Sequence, residues 1–183
     1  MPYSIDQFAA DCRDILKSDS GPAGRRQVIG KLEALLMEDD FVAEHCGPDA
    51  KVGSNLIYED RQLGFQVLAH IMDKGYDGGP HDHGESWAIY GQAVKHTDMT
   101  DWRRTDDRSQ EGKADIEPVR TYRMERGQAG IFDDGAIHSI AYPEGARFVR
   151  VTGCDLSTIA RGRYNPEKGT MDVSKRENFN GTS

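Results

Sequence analysis

Two histidines separated by one residue, in Pro80-His81-Asp82-His83-Gly84, and a third in Gly135-Ala136-Ile137-His138-Ser139 are the side chains with the clearest chemistry. Alternate residues of a β-strand project to one face. An H-x-H pair on a strand would therefore aim two imidazoles at one point, and a histidine from a second strand would complete one face of a metal coordination sphere. Three neutral imidazoles with no carboxylate leave the charge of a divalent ion to be met by an anionic substrate, and they leave coordination positions open, as a catalytic site requires. Imidazole suits iron, zinc, copper and nickel, so the ligands alone do not name the metal. The bland alternative is two unrelated surface histidines. Glu85, two residues beyond His83, would be a fourth ligand if the strand continued, but Gly84 is placed to bend the chain. His45, His70 and His96 read as structural rather than ligating, with His70 either a satisfied core residue or part of a pocket wall.

These residues need strands to hold them, and the pattern supplies strands after an initial helical stretch. Residues 1–50 read as helical. Ile5, Phe8, Cys12, Ile15 and Leu16 form one apolar face, and Val28, Ile29, Leu32, Leu35 and Leu36 form a second after the break at Asp19-Ser20-Gly21-Pro22. Asp39 and Asp40 are candidate caps of a short third helix. From Asn55 the texture changes to about eight short strands between glycine turns. Phe65, Val67, Ala69 and Ile71 alternate on a strand over 64–72, and further strands are expected over 86–94, 119–124, 129–133, 136–141 and 147–152. Residues 105–114 read as a polar loop. The expected organisation is a single domain over 1–183: a helical segment to 50, an antiparallel barrel or jelly roll over 54–156, and a polar, extended tail over 157–183.

Composition limits the partners. The formal charge is −8 and the 23 basic residues form no long cluster, which argues against a nucleic-acid surface. No apolar run has the length of a membrane span, and Asp6, Asp11 and Asp14 break any signal-peptide pattern. Cys12, Cys46 and Cys154 are scattered, without a C-x-x-C pair, so the expected compartment is the reducing cytoplasm. Cys154 reads as a small hydrophobe, with no basic activator beside it.

The spacing resembles the cupin superfamily. Gly79, His81, His83 and Gly91 match its first motif, and Gly130, Gly135 and His138 match its second in outline. The superfamily's glutamate would fall at Trp87 or Ala88 and is missing. Within the superfamily the H-D-H segment is similar to that of the thiol dioxygenases, the cysteine and 3-mercaptopropionate dioxygenases, over roughly residues 55–156. The resemblance implies a mainly β chain with N-terminal helices, a double-stranded β-helix barrel, and Fe(II) held by His81, His83 and His138. It also implies a small thiol and O2 as partners, with both oxygen atoms ending on sulfur as a sulfinate. Zinc, nickel or manganese doing isomerisation or hydrolysis, or a cupin that only binds a ligand, are the alternatives. Barrels of this type often pair edge strands, so a homodimer is allowed for, although no interface is marked in the sequence.

The departures concern substrate. The subfamily's carboxylate-binding arginine would fall near Ser54, its cross-linked cysteine at Ala88, and its histidine–tyrosine pair at Arg150 and Thr152. If Thr152 takes the place of a pocket tyrosine, Arg150 faces the pocket too. It would then either grip a substrate carboxylate or pair with an acidic side chain in the barrel. Tyr90 would offer a hydroxyl near the metal or be ordinary core, with Trp87 on the opposite face. Gln66, sharing a face with Leu68 and His70, is a further pocket candidate.

Overall fold

The computed structural model describes residues 2–175. Three helices lead: α1 (Ile5–Ser18), α2 (Pro22–Leu36) and α3 (Asp39–Cys46). Ser4 caps α1 by accepting the Gln7 amide. Gly21 has no side chain to cap α2, and the Asp19 carboxylate does it instead, accepting the Gly21 and Gly24 amides at 2.8 and 2.9 Å. Asp39 and Asp40 lie in the first turn of α3, where negative charge favours the helix dipole. The cap position itself is Glu38, which makes no side-chain cap bond.

Eleven strands follow in the described residues. They are β1 (Gly53–Glu59), β2 (Gln66–Ile71), β3 (Tyr76–Asp77), β4 (Ala88–Val94), β5 (Thr97–Arg104), β6 (Ile116–Met124), β7 (Ala129–Phe132), β8 (Ile137–Tyr142), β9 (Arg147–Thr152), β10 (Ala160–Asn165) and β11 (Thr170–Lys175). The first large sheet has the order β1-β2-β9-β4-β7, and the second has the order β3-β8-β5-β6. Every pairing is antiparallel. This is a mainly β double-stranded β-helix with N-terminal helices; the strand and turn pattern predicts its antiparallel jelly roll, and the resemblance implies the double-stranded β-helix.

Alternation along the strands builds two cores. Phe65, Val67, Ala69, Ile71, Ile89, Val149 and Val151 face outward from the first sheet and are covered by Phe8, Cys12, Val28, Leu32 and Leu36 of the helices. The opposite face turns Tyr90 and Phe148 toward Met99, Met124 and Ile140 of the second sheet. Trp87 belongs to the helical side, with the Arg25 guanidinium 5.7 Å from its ring centroid. Where α2 packs on β4, a Cβ on Gly91 would lie 2.5 Å from a methyl carbon of Leu36, so a side chain there would force Leu32 and Leu36 to shift.

Two elements differ from expectation. β5 is not marked by an apolar pattern, because it carries Asp98 and Asp101, which pair with Arg123 and Arg120 of β6. The C-terminal segment is not a simple extended tail. Residues 160–175 form a β-hairpin packed across the mouth of the barrel, and residues 176–183 lie outside the described residues. Among the described residues no helix is long and apolar enough to cross a membrane.

Candidate metal centre

His81, His83 and His138 converge. One nitrogen from each ring lies within 4.8 Å of the others. Ring centroids are 4.4 Å apart for His81–His138, 4.9 Å for His83–His138 and 5.3 Å for His81–His83. The convergence does not arise from an H-x-H pair on one continuous strand. His81 and His138 sit opposite each other in an isolated antiparallel bridge, exchanging both backbone hydrogen bonds at 2.9 Å. His83 lies outside that bridge, and the chain turns immediately after it at Gly84 (φ +58°). A Cβ at Gly84 would meet the Ala160 carbonyl oxygen at 2.2 Å, so both the conformation and the space require glycine.

The donors have the electronic state a cation needs. The Gly79 carbonyl accepts Nδ1–H of His81 at 3.2 Å, and the Ala136 carbonyl accepts that of His138 at 3.4 Å. These bonds leave Nε2 as the lone-pair atom of each ring. His138 Nε2 is buried without a hydrogen-bond partner among the described residues, as is His83 Nδ1. Nε2 of His83 meets the Tyr90 hydroxyl at 3.0 Å. Burial pushes the His83 and His138 imidazoles well below their ordinary range. The neighbouring rings and Arg150 push in the same direction, and Arg161 adds to the shift at His83. His81 is lowered by burial as well. Neutral imidazoles with unpartnered nitrogens fit a divalent metal ion. Phe132 stacks on His138 at 3.8 Å and 15°, fixing the ring plane. Glu85 is exposed beyond the Gly84 turn, and neither it nor His96 joins the cluster.

A cavity of about 600 Å³ opens beside the histidines. His81, Tyr90, His70, Phe148 and Arg150 line it. His70 stacks on Phe148 at 4.7 Å and 10°, which makes it part of the wall. Arg150 pairs in register with Tyr90 and holds its guanidinium carbon 6.0 Å from that ring's centroid. Its Nε is buried without a hydrogen bond, and no carboxylate among the described residues forms an ion pair with it. Gln66 and Thr152 lie elsewhere. Gln66 donates to Glu59 at 3.1 Å, and Thr152 donates to the Cys154 carbonyl at 2.8 Å. They pair with each other two residues beyond Arg150, outside the lining. Ser54, where the thiol dioxygenases would have their arginine, does line the cavity.

The C-terminal hairpin adds Arg161, Arg163 and Tyr164 to the lining. Sequence reasoning passed over them because a polar hairpin carries no apolar period, and Arg-Gly-Arg-Tyr was its only signal. Asp82, between the two histidines, anchors the hairpin. Its Oδ1 accepts the Gly84 and Gly162 amides at 2.8 and 2.9 Å, and its Oδ2 accepts the Tyr164 hydroxyl at 2.6 Å. Backbone bonds run from Asp82 N–H to the Gly162 carbonyl and from Tyr164 N–H to the Pro80 carbonyl. Burial, and then the bond to Asp82, raises the Tyr164 phenol. Hydrogen bonds to a carboxylate contribute roughly 1.5–3 kcal/mol each. Replacing Asp82 by Ala is therefore expected to accelerate amide exchange of Gly162 and Tyr164 by about 100-fold. Hydrogen exchange resolved over 160–175 measures this, and unchanged protection would remove Asp82 as the anchor.

No protein-family model matches the chain, and no curated protein matches its sequence. Solved structures do resemble it. The cupin domain of Schizosaccharomyces pombe Cnp3 superposes with a TM-score of 0.44 at 13% identity, covering 59% of this chain and 66% of that one. The DMSP lyase DddQ from Ruegeria pomeroyi gives 0.42 at 15% identity, covering 58% of this chain and 46% of that one. In both cases the match spans less than two thirds of the other chain. A cupin-2 domain protein from Shewanella frigidimarina gives 0.42 at 11% identity, covering 61% and 89%.

Proposed function

We propose that this chain is a cupin metalloenzyme. His81, His83 and His138 hold a divalent ion, and Arg150 grips the anionic group of a small substrate. The finer reading is a three-histidine Fe(II) dioxygenase that takes a thiol to a sulfinate. One observation carries the proposal. Three histidines converge to within 4.8 Å, two of their buried nitrogens lack partners, and an arginine with no acidic partner among the described residues lines the adjoining cavity.

Fe(II) bound there would supply the redox chemistry that joins O2 to sulfur, whereas zinc, nickel or manganese would supply Lewis-acid chemistry. The chain's own residues do the rest. Arg150 offers a planar fork to a carboxylate. It takes this role from the β9 side of the cavity, opposite in origin to the β1 position occupied by Ser54. The Tyr90 hydroxyl, bonded to His83, stands at the edge of the cluster as a donor for a substrate heteroatom. Phe132, stacked on His138, shields that imidazole from water, which strengthens the electrostatic contacts inside.

The test is metal analysis of protein purified without a histidine tag. Oxygen uptake after anaerobic Fe(II) loading follows, screened over thiols and other small acids. Stoichiometric iron and thiol-dependent uptake with a sulfinate product are expected. Zinc without uptake would overturn the dioxygenase reading, and absence of any bound metal would overturn the whole.

A further inference from the structure

The cavity is much larger than a three-carbon thiol acid requires. Its roughly 600 Å³ corresponds to the volume of about twenty waters. One wall is a run of aromatic rings that leads from the mouth to the imidazoles. Tyr76, 54% exposed, lies 5.4 Å from Tyr142 between ring centroids. Tyr142 lies 5.7 Å from Phe148, and Phe148 lies 6.0 Å from Tyr90, whose hydroxyl reaches His83. Strand parity explains the alignment. His138, Ile140 and Tyr142 share one face of β8, and Phe148 and Arg150 share one face of β9. The Arg150 guanidinium carbon lies 6.0 Å from the ring centroid of Tyr90, which is the inner end of this wall.

We infer that the substrate is an aromatic carboxylate, a planar ring system whose acid group meets Arg150 and whose ring lies along Tyr142 and Phe148. The inference rests on Arg150 as the anion anchor proposed above, and under the dioxygenase reading the aryl acid also carries the thiol that is oxidised. A flat ring recovers offset or edge-to-face contact along the whole wall, which a short aliphatic acid cannot do. Pockets of this volume bury most of a ligand of that size and fix its orientation with a few polar groups. The two demands, a charge at the inner end and flat apolar contact along the side, are met together by an aryl acid. A short amino thiol would leave most of the wall in contact with water.

Calorimetry on the metal-containing protein tests this with three non-reactive probes: 2-naphthoate, its saturated counterpart decalin-2-carboxylate, and neutral 2-naphthamide. Naphthoate should bind about tenfold or more tighter than either control. Tyr142→Leu, checked for unchanged metal content and circular dichroism, should erase the preference over the decalin acid and keep the preference over the amide. Arg150→Met should do the reverse. Equal binding of naphthoate and the decalin acid, or an aromatic preference untouched by Tyr142→Leu, would overturn the aromatic assignment and leave the anion anchor standing. Equal binding of naphthoate and naphthamide would remove the anion anchor, and with it the substrate part of the proposed function, while the three-histidine metal centre would stand. No binding of any probe at millimolar concentration would likewise overturn the inference.

Discussion

His138→Ala is expected to abolish stoichiometric metal binding and metal-dependent turnover while the barrel stays folded. The residue is fully buried, stacked on Phe132, and carries one of the unpartnered nitrogens of the cluster. Loss of groups that merely orient a metal ligand typically weakens binding 10–100-fold. Loss of a ligand itself should therefore exceed about 100-fold. Two effects on stability oppose each other. Truncation opens a cavity beside Phe132, which destabilises. It also removes a buried polar atom that has no hydrogen bond, which relieves desolvation. The net change in the metal-free protein is expected to stay within about 2 kcal/mol. The backbone bridge between residues 81 and 138 uses main-chain atoms only and survives the substitution. Elemental analysis gives the metal content, and denaturant unfolding of the metal-free forms gives the stability. Wild-type metal content in the variant would remove His138 from the centre.

The architecture and the three histidines were legible in the sequence because both rest on period and residue type. Phe65, Val67, Ala69 and Ile71 alternate as a half-covered strand must, and all four are buried under the helices. Parity also placed Tyr90 and Trp87 on opposite faces, where they lie. Parity gives the face of a strand and not the position along it, and this limit accounts for Gln66 and Thr152. They share faces with His70 and Arg150 yet lie past the end of the cavity, bonded to Glu59 and to the Cys154 carbonyl. The manner of convergence was hidden as well, because an isolated bridge and a left-handed turn at Gly84 leave no periodic trace. β5 and the C-terminal hairpin were obscured for a different reason. Their strands are held by cross-strand ion pairs and by backbone bonds to Pro80 and Asp82, and neither writes an apolar pattern. The lining residues contributed by Arg161 and Tyr164 were lost with the hairpin.

Arg150→Met should separate stability from function and do so with opposite signs. A guanidinium whose Nε is buried without a hydrogen bond, and which has no carboxylate partner among the described residues, is held at a desolvation cost. Its one described contact is the face of Tyr90 at 6.0 Å, a cation–π interaction of about 0.5–1 kcal/mol where water still reaches the charge. Methionine occupies much of the same apolar volume beside Phe148 and Tyr90 and carries no charge. The metal-free variant is therefore expected to equal or exceed the wild type in unfolding free energy, by up to about 1 kcal/mol. Binding of a carboxylate probe should fall by about 100-fold, the loss of a charge-assisted bidentate contact in a partly dry pocket. An arginine kept for the fold would behave the other way. Removing half of a structural ion pair destabilises by roughly 3–5 kcal/mol and leaves the ligand affinity of a distant pocket unchanged. Denaturant unfolding and calorimetry on the same two proteins decide between these outcomes. A destabilised variant with undiminished carboxylate binding would assign Arg150 to the fold, leaving the anionic group of the substrate to be met by another residue.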